Sequence, residues 1–237
     1  MRYQNITSCK FRPNGIFVSQ AKGGVRNYLL LKLLLQFQDM FVAGSDTTAS
    51  TLEWAMAELM RNPMKLKKAQ EEVRKVVGNK SKVEENDINE MEYLKCVVKE
   101  TLRLHPAAPL LAPRETSCAL KLRGYDIPAK TLVYMNAWGI QRDPEVWERP
   151  EEFIPERHGD KHVPLKGQFI PFGFGRRACP GMSFGLVVVE YTLANLLYWF
   201  NWKLPSSQDI DVTETYGLVT SIKVALHVKP VPFEPSF

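Results

Sequence analysis

At 237 residues, 45% hydrophobic and 11% aromatic, the chain can bury one sizeable core or two small ones. A net charge of +5 is too weak to argue for a nucleic-acid partner. Four cysteines, Cys9, Cys96, Cys118 and Cys179, lack C-x-x-C spacing; this suggests neither zinc nor a disulfide framework and fits a reducing compartment. No stretch reads as a membrane span. Residues 28–44 are interrupted by Lys32, Gln36, Gln38 and Asp39, and residues 186–200 are short and carry Glu190. Residues 1–15 have no apolar run of the signal-peptide kind.

Residues 1–38 contain no acidic side chain and six basic ones, Arg2, Lys10, Arg12, Lys22, Arg26 and Lys32. With breaks at Pro13-Asn14-Gly15 and Gly23-Gly24, this segment is expected to be an atypical leader, unstructured or non-native, ahead of a domain over 39–237. A long helix is predicted from about 27 to 60. Its leucines lie all round, which predicts burial on most sides. Inside it sits Ala43-Gly44-Ser45-Asp46-Thr47-Thr48, where Gly44 and three residues that compete for backbone hydrogen bonds interrupt an apolar helix. Such local inconsistency marks either a functional site or a solvated, kinked face.

Pro63 opens a charged helix to Val77, and 92–104 predicts another, with Leu94, Val97, Val98, Thr101 and Leu104 on one stripe and Pro106 as its stop. Glu100 and Arg103 are i,i+3 neighbours on it, by themselves an ordinary ion pair. Beyond Pro106 the chain reads as extended over 107–115, then as strands 118–122 and 131–136 around a turn at 124–128. A short helix is predicted over 138–143, an irregular meander over 144–167, an apolar helix over 182–200 and a strand over 221–228. Between meander and helix lies Pro171-Phe172-Gly173-Phe174-Gly175-Arg176-Arg177-Ala178-Cys179-Pro180-Gly181. The glycines let this loop pass close to a bulky partner, and Pro180 suits the first turn of a helix. Cys179 thereby sits near a helix N-terminus, a place that favours thiolate, with Arg177 as a cation two residues away. A free cysteine in a turn is the plainer reading of that residue alone.

The whole string resembles the haem-ligand signature F-x-x-G-x-R-x-C-x-G of the cytochrome P-450 monooxygenases, matched at Phe172, Gly175, Arg177, Cys179 and Gly181. Other stretches resemble the same family in the same order: Ala43-Gly44-Ser45-Asp46-Thr47-Thr48 its oxygen-activating helix, Glu100-x-x-Arg103 its E-x-x-R motif, and Pro155-Glu156-Arg157 its P-E-R-F motif with His158 in place of phenylalanine. The resemblance runs over 39–232 and looks most like the plant microsomal A-type enzymes. It implies a mainly α fold with small β sheets, the C-terminal portion of the cytochrome P-450 fold, and haem b as cofactor with Cys179 as axial ligand. Arg114 is implied as a partner of a haem propionate, and Arg177, Phe172, Gly173 and Gly181 as further residues that bind the cofactor. Asp46 and Thr47 would relay protons to iron-bound oxygen, and Glu100, Arg103 and Arg157 would form a buried structural triad. Ala43, Ala107, Leu110, Leu111 and Leu218 would line the substrate cavity, Leu218 in a second lining turn over 216–219.

The implied activity is insertion of one oxygen atom of O2 into a small lipophilic, secondary-metabolite-like substrate. Electrons would come from NADPH through cytochrome P-450 reductase, on the cytosolic face of the endoplasmic reticulum membrane. Only the C-terminal half of a family member is matched; the N-terminal anchor and the helices roofing the cavity have no counterpart. A truncated form is therefore expected, and a non-catalytic remnant that binds haem weakly is the alternative. A haem-thiolate isomerase is disfavoured by the Asp46-Thr47 pair.

Overall fold

Four helices carry the core. The computed structural model describes residues 25–159, 167–205, 210–217 and 219–234, with side chains from residue 32 onward. Helices α1 (Val25–Arg61), α2 (Pro63–Val77), α3 (Glu92–Leu104) and α5 (Met182–Trp199) pack on one another, and a short α4 (Ala137–Ile140) lies beyond α3 in the chain. Leu59, Val73, Leu94, Val97, Leu193 and Leu197, all but inaccessible to solvent, form the centre of that packing. Proline at the first position starts α2, and Gly78 at φ 60° ends it, as local chemistry dictates.

The start of α3 is capped from outside. Glu72 on α2 accepts the backbone N–H groups of Tyr93 and Leu94, one on each carboxylate oxygen, both at 2.8 Å. A carboxylate at a helix N-terminus satisfies orphan amides and meets the positive end of the helix dipole. The cap also fixes how α2 and α3 meet.

The β structure consists of four two-stranded antiparallel ribbons. Strand β1 (Arg114–Glu115) pairs with β4 (Leu132–Val133), and β2 (Leu120–Leu122) with β3 (Tyr125–Ile127). Strand β5 (Phe200–Lys203) pairs with β8 (Lys229–Pro232), and β6 (Glu214–Thr215) with β7 (Ser221–Ile222). The turn expected over 124–128 is tighter than that. Arg123 and Gly124, both at positive φ, make the reversal, and 125–127 is already strand. The extended stretch 107–115 is mostly bends and turns, with strand only at its end, and 221–228 holds just two strand residues. Alternation predicted strand wherever it occurred, but a ladder also needs a neighbour, and these segments have one only briefly.

Helix α1 departs from expectation in two ways. It is unbroken through Gly44, so the polar cluster does not kink it, and residues 25–38 of the expected leader are helical; residues 1–24 lie outside the described residues. Nor is it buried on most sides. Residues 32–46 are exposed, including Phe37, Met40 and Phe41 at 70–76%, whereas Trp54, Ala55, Ala57 and Leu59 are fully covered. The neighbours α2, α3, α5 and β7 reach its C-terminal half, and apolar residues without a neighbour stay in solvent whatever their pattern.

Among the described residues one helix, α5, is long and apolar enough to cross a membrane, with a mean hydropathy of 1.2, against the expectation of none. Val189, Leu193, Ala194, Leu197 and Tyr198 place one side of it in the core. Cys96 and Cys179 are free thiols, while Cys118 is disulfide-bonded, a cross-link that spacing along the chain did not announce.

The capping role of Glu72 is testable. Replacing it by alanine orphans two first-turn amides and should lower the unfolding free energy by about 1–2 kcal/mol, the range for loss of a helix N-cap. Urea denaturation should show the midpoint falling with the slope unchanged.

Candidate active site

The Cys179 loop is tied down at its entrance before it makes its turns. Ile170 donates its N–H to the side-chain oxygen of Gln141 at 2.8 Å, and the buried Gln141 amide donates in turn to the carbonyls of Leu102 and Arg103. The end of α3 and the entrance to the loop therefore share one side chain. Gly173 (φ 75°) and Gly175 (φ 77°) then reverse the backbone in a conformation that residues with a Cβ resist. The Cys179 N–H closes the loop onto the Phe172 carbonyl at 2.8 Å. Pro180 falls just before the helix rather than in its first turn, because Gly181 takes the N-cap position and α5 begins at Met182.

The Cys179 thiol is exposed. A Cβ on Gly181 would stand 3.8 Å from Sγ, so glycine there leaves that flank of the sulfur open. Phe174, Met182 and Phe184 are exposed nearby in the chain. Among the described residues no group of three or more His, Cys, Asp or Glu side chains is placed to hold a metal. One accessible soft donor without protein co-ligands among the described residues fits a metal whose remaining ligands would come from a macrocycle. The exposed aromatic and thioether side chains suit the apolar face of such a group.

Short contacts join the other expected site residues to this loop. Leu111, at φ 53°, has its Cδ1 3.9 Å from where a Gly173 Cβ would be, and Arg114 donates to the Arg177 carbonyl at 3.1 Å. Ala107 accepts the Thr220 N–H at 3.0 Å, and the Thr220 carbonyl accepts from the buried Ser50 hydroxyl at 2.7 Å. Ser50 lies on α1, less than one turn beyond Thr47. The 107–114 segment, the 219–222 segment, α1 and the cysteine loop thus form a connected frame. Leu110 is exposed within it, and Leu218 lies outside the described residues.

Asp46 is exposed, as is Ala43, and Thr47 is half-buried. The Thr47 hydroxyl donates to the Ala43 carbonyl at 2.6 Å, one turn back. Its donor is thereby committed to the helix, while its lone pairs remain to accept from a water.

The chain belongs to the cytochrome P450 family. The sequence model of that family, "Cytochrome P450", matches residues 17–228. A phenylacetaldehyde oxime monooxygenase from Prunus mume is 54% identical over 206 residues, 84% of this chain and 39% of the relative. Cytochrome P450 71A1 from Persea americana is 57% identical over 196 residues, 80% of this chain and 39% of the relative. A zebrafish cytochrome P450, solved with abiraterone, superimposes with a TM-score of 0.76 at 30% identity over 83% of this chain and 47% of its own. The relatives are plant P450s of the A-type, and the mainly α fold with small sheets is that of the family, whose cofactor is haem b. The chain spans about two fifths of the length of these curated relatives.

In this P450 chain Glu100 and Arg103 of the E-x-x-R motif are fully buried. Arg103 donates to both oxygens of Glu100 (2.8 and 2.9 Å), and Arg157 Nε reaches Oε1 at 2.9 Å. Two further donors complete the shell: the Ile154 N–H at 2.9 Å, and His158, whose Nε2 is 2.8 Å from Oε2. Burial works against the charged carboxylate, but hydrogen bonds from His158 and Arg103 and the charge of Arg103 outweigh it, holding Glu100 at about 2.

Motif reading missed a second buried cluster. His105 stacks flat on Trp54, with centroids 3.8 Å apart, and lies 3.0 Å from Glu58 and 3.5 Å from Glu214. It joins α1 to β6; the one signal in the sequence was a histidine at the end of an apolar stripe.

The Glu100 cluster sets an acid limit. Its depressed value means that its stabilisation is complete above the ordinary carboxylate range, about 4.5, and is lost as pH falls from there toward about 2. Glu100→Gln should flatten the stability profile in that window. It should also cost about 3–5 kcal/mol at neutral pH, because two arginines are left without their counter-charge. Circular dichroism against pH would measure both.

Proposed function

We propose that this chain is the thiolate-bearing portion of a haem monooxygenase acting on a small lipophilic substrate. Electrons would come from NADPH through cytochrome P-450 reductase, at the cytosolic face of the endoplasmic reticulum. The observation that carries the reading is the exposed Cys179 thiol, presented by a glycine-turned loop beside apolar side chains and, among the described residues, without protein co-ligands. Haem, when bound, supplies activation of dioxygen, and an axial thiolate favours O–O cleavage.

The remaining roles fall to the chain's own residues. Cys179 would hold the iron, and Phe172, Gly173 and Gly181 would lie against the macrocycle. Arg114 and Arg177 offer guanidinium groups to its propionates, an arrangement that suits planar carboxylates. Ala43, Ala107, Leu110, Leu111 and Leu218 exclude water from the substrate, and Glu100, Arg103 and Arg157 fix the frame behind the loop. Asp46, being exposed, exchanges protons with solvent, and Thr47 accepts a hydrogen bond from a water that passes them inward. Because the chain covers about two fifths of its relatives, turnover is proposed for it together with the N-terminal portion that those relatives carry.

The test is to express the chain with the N-terminal portion of a close relative, load haem and record the reduced carbon-monoxide adduct. Cys179→Ser should abolish the red-shifted band that thiolate ligation gives, while Cys96→Ser should keep it. A band unchanged by Cys179→Ser would discard the assignment. Absence of haem uptake altogether would favour the non-catalytic remnant.

In the same preparation, Thr47→Ala should divert NADPH consumption to peroxide and lower product formation by about 10²-fold, the scale of a lost proton-transfer group. An undiminished ratio of product to NADPH would remove Thr47 from the relay.

A further inference from the structure

We propose that His158 is a positioning residue that couples the Glu100 carboxylate to the segment entering the Cys179 loop. It stands where the family motif carries phenylalanine, and it does two things at once. Its Nε2 lies 2.8 Å from Glu100 Oε2, with both side chains buried. Its ring also packs between Trp147 (centroids 6.0 Å apart, tilted 51°) and Phe169 (5.5 Å apart, tilted 53°).

Phe169 immediately precedes Ile170, whose N–H is held by Gln141 and whose carbonyl accepts the Gly173 N–H at 2.9 Å. Phenylalanine at 158 could keep the ring contacts but could donate nothing to Oε2, where Arg103 Nε would remain as the one donor. The hydrogen bond orients the ring, and the oriented ring seats Phe169 at the loop's entrance. The other side chains on the carboxylate, Arg103 from α3 and Arg157 from the 3-10 turn Pro155–His158, give their remaining donors to the backbone carbonyls of Gln141, Glu148, Arg149, Pro150 and Glu152. His158 adds to the backbone link through Gln141 a ring contact with Phe169 itself.

The bearing of this coupling on the haem ligand rests on the role proposed for Cys179. Amide exchange in the cofactor-free chain does not depend on it, so the two readings fail separately. In the full 237-residue chain, His158→Phe should speed exchange of the Ile170, Gly173 and Cys179 amides by about tenfold relative to those of Val73 and Val97, equivalent to about 1.4 kcal/mol. Val73→Ala serves as the control for general loosening of the core, and it should weaken protection without singling out the loop.

Loop exchange that is unchanged in His158→Phe, or raised no more than in Val73→Ala, would overturn the coupling. Coupling is reciprocal, so a second variant reads it from the other end without touching the histidine. Phe169→Leu should loosen the ring, weaken its bond to Glu100 and move the acid-unfolding midpoint to higher pH. A midpoint that stays in place in a folded Phe169→Leu chain would equally sink the proposal.

Discussion

Taking a carboxylate out of water costs several kcal/mol even after relaxation, and at Glu100 that cost is offset by five hydrogen bonds on two oxygens. The donors come from α3, from the backbone at Ile154 and from the 3-10 turn that follows. Arg103 directs its other N–H groups to the carbonyls of Gln141, Pro150 and Glu152, and Arg157 does the same at Glu148 and Arg149. The stretch from 141 to 158 has almost no regular secondary structure to satisfy its carbonyls. It is held in shape by two guanidinium groups fanned out from one buried charge, and the cysteine loop is built on top of that shape.

Helix α1 has two halves governed by different surroundings. Its C-terminal half is a core element, locked by Trp54, Leu59 and the Ser50 hydroxyl on Thr220. Its other half carries an apolar surface that no described element covers, and the polar cluster at 43–48 sits at the changeover. Thr47 and Thr51 each bond a carbonyl one turn back, so their hydroxyls are satisfied within the helix and do not draw the backbone into a turn.

The helices and the cysteine loop were legible in the sequence because their determinants are local. Pro63, the α3 stripe, Pro106 and Gly173-x-Gly175 act within a few residues of themselves. The ribbons were less legible: 107–115 and 221–228 alternate like strands but find only brief partners. The burial of α1 was misread because a periodic pattern reports what a helix can bury and not what is there to bury it. Glu100 and Arg103 read by spacing alone as an ordinary ion pair; their burial with Arg157 was expected from the motif resemblance, while the Ile154 and His158 donors were not. His105 was invisible because Trp54, Glu58 and Glu214 reach it from remote parts of the chain.

Gln141 has a chemical consequence of its own. Its side chain accepts from Ile170 and donates to the carbonyls of Leu102 and Arg103, so the site needs an acceptor and a donor on one planar group. Only an amide of that length provides both. Hydrolytic ageing of this glutamine to glutamate would set a carboxylate against two carbonyl oxygens in a space closed to water. The burial that makes Gln141 a strut also keeps bulk water from its amide, so the damage that would break the strut is slowed by the packing the strut holds together.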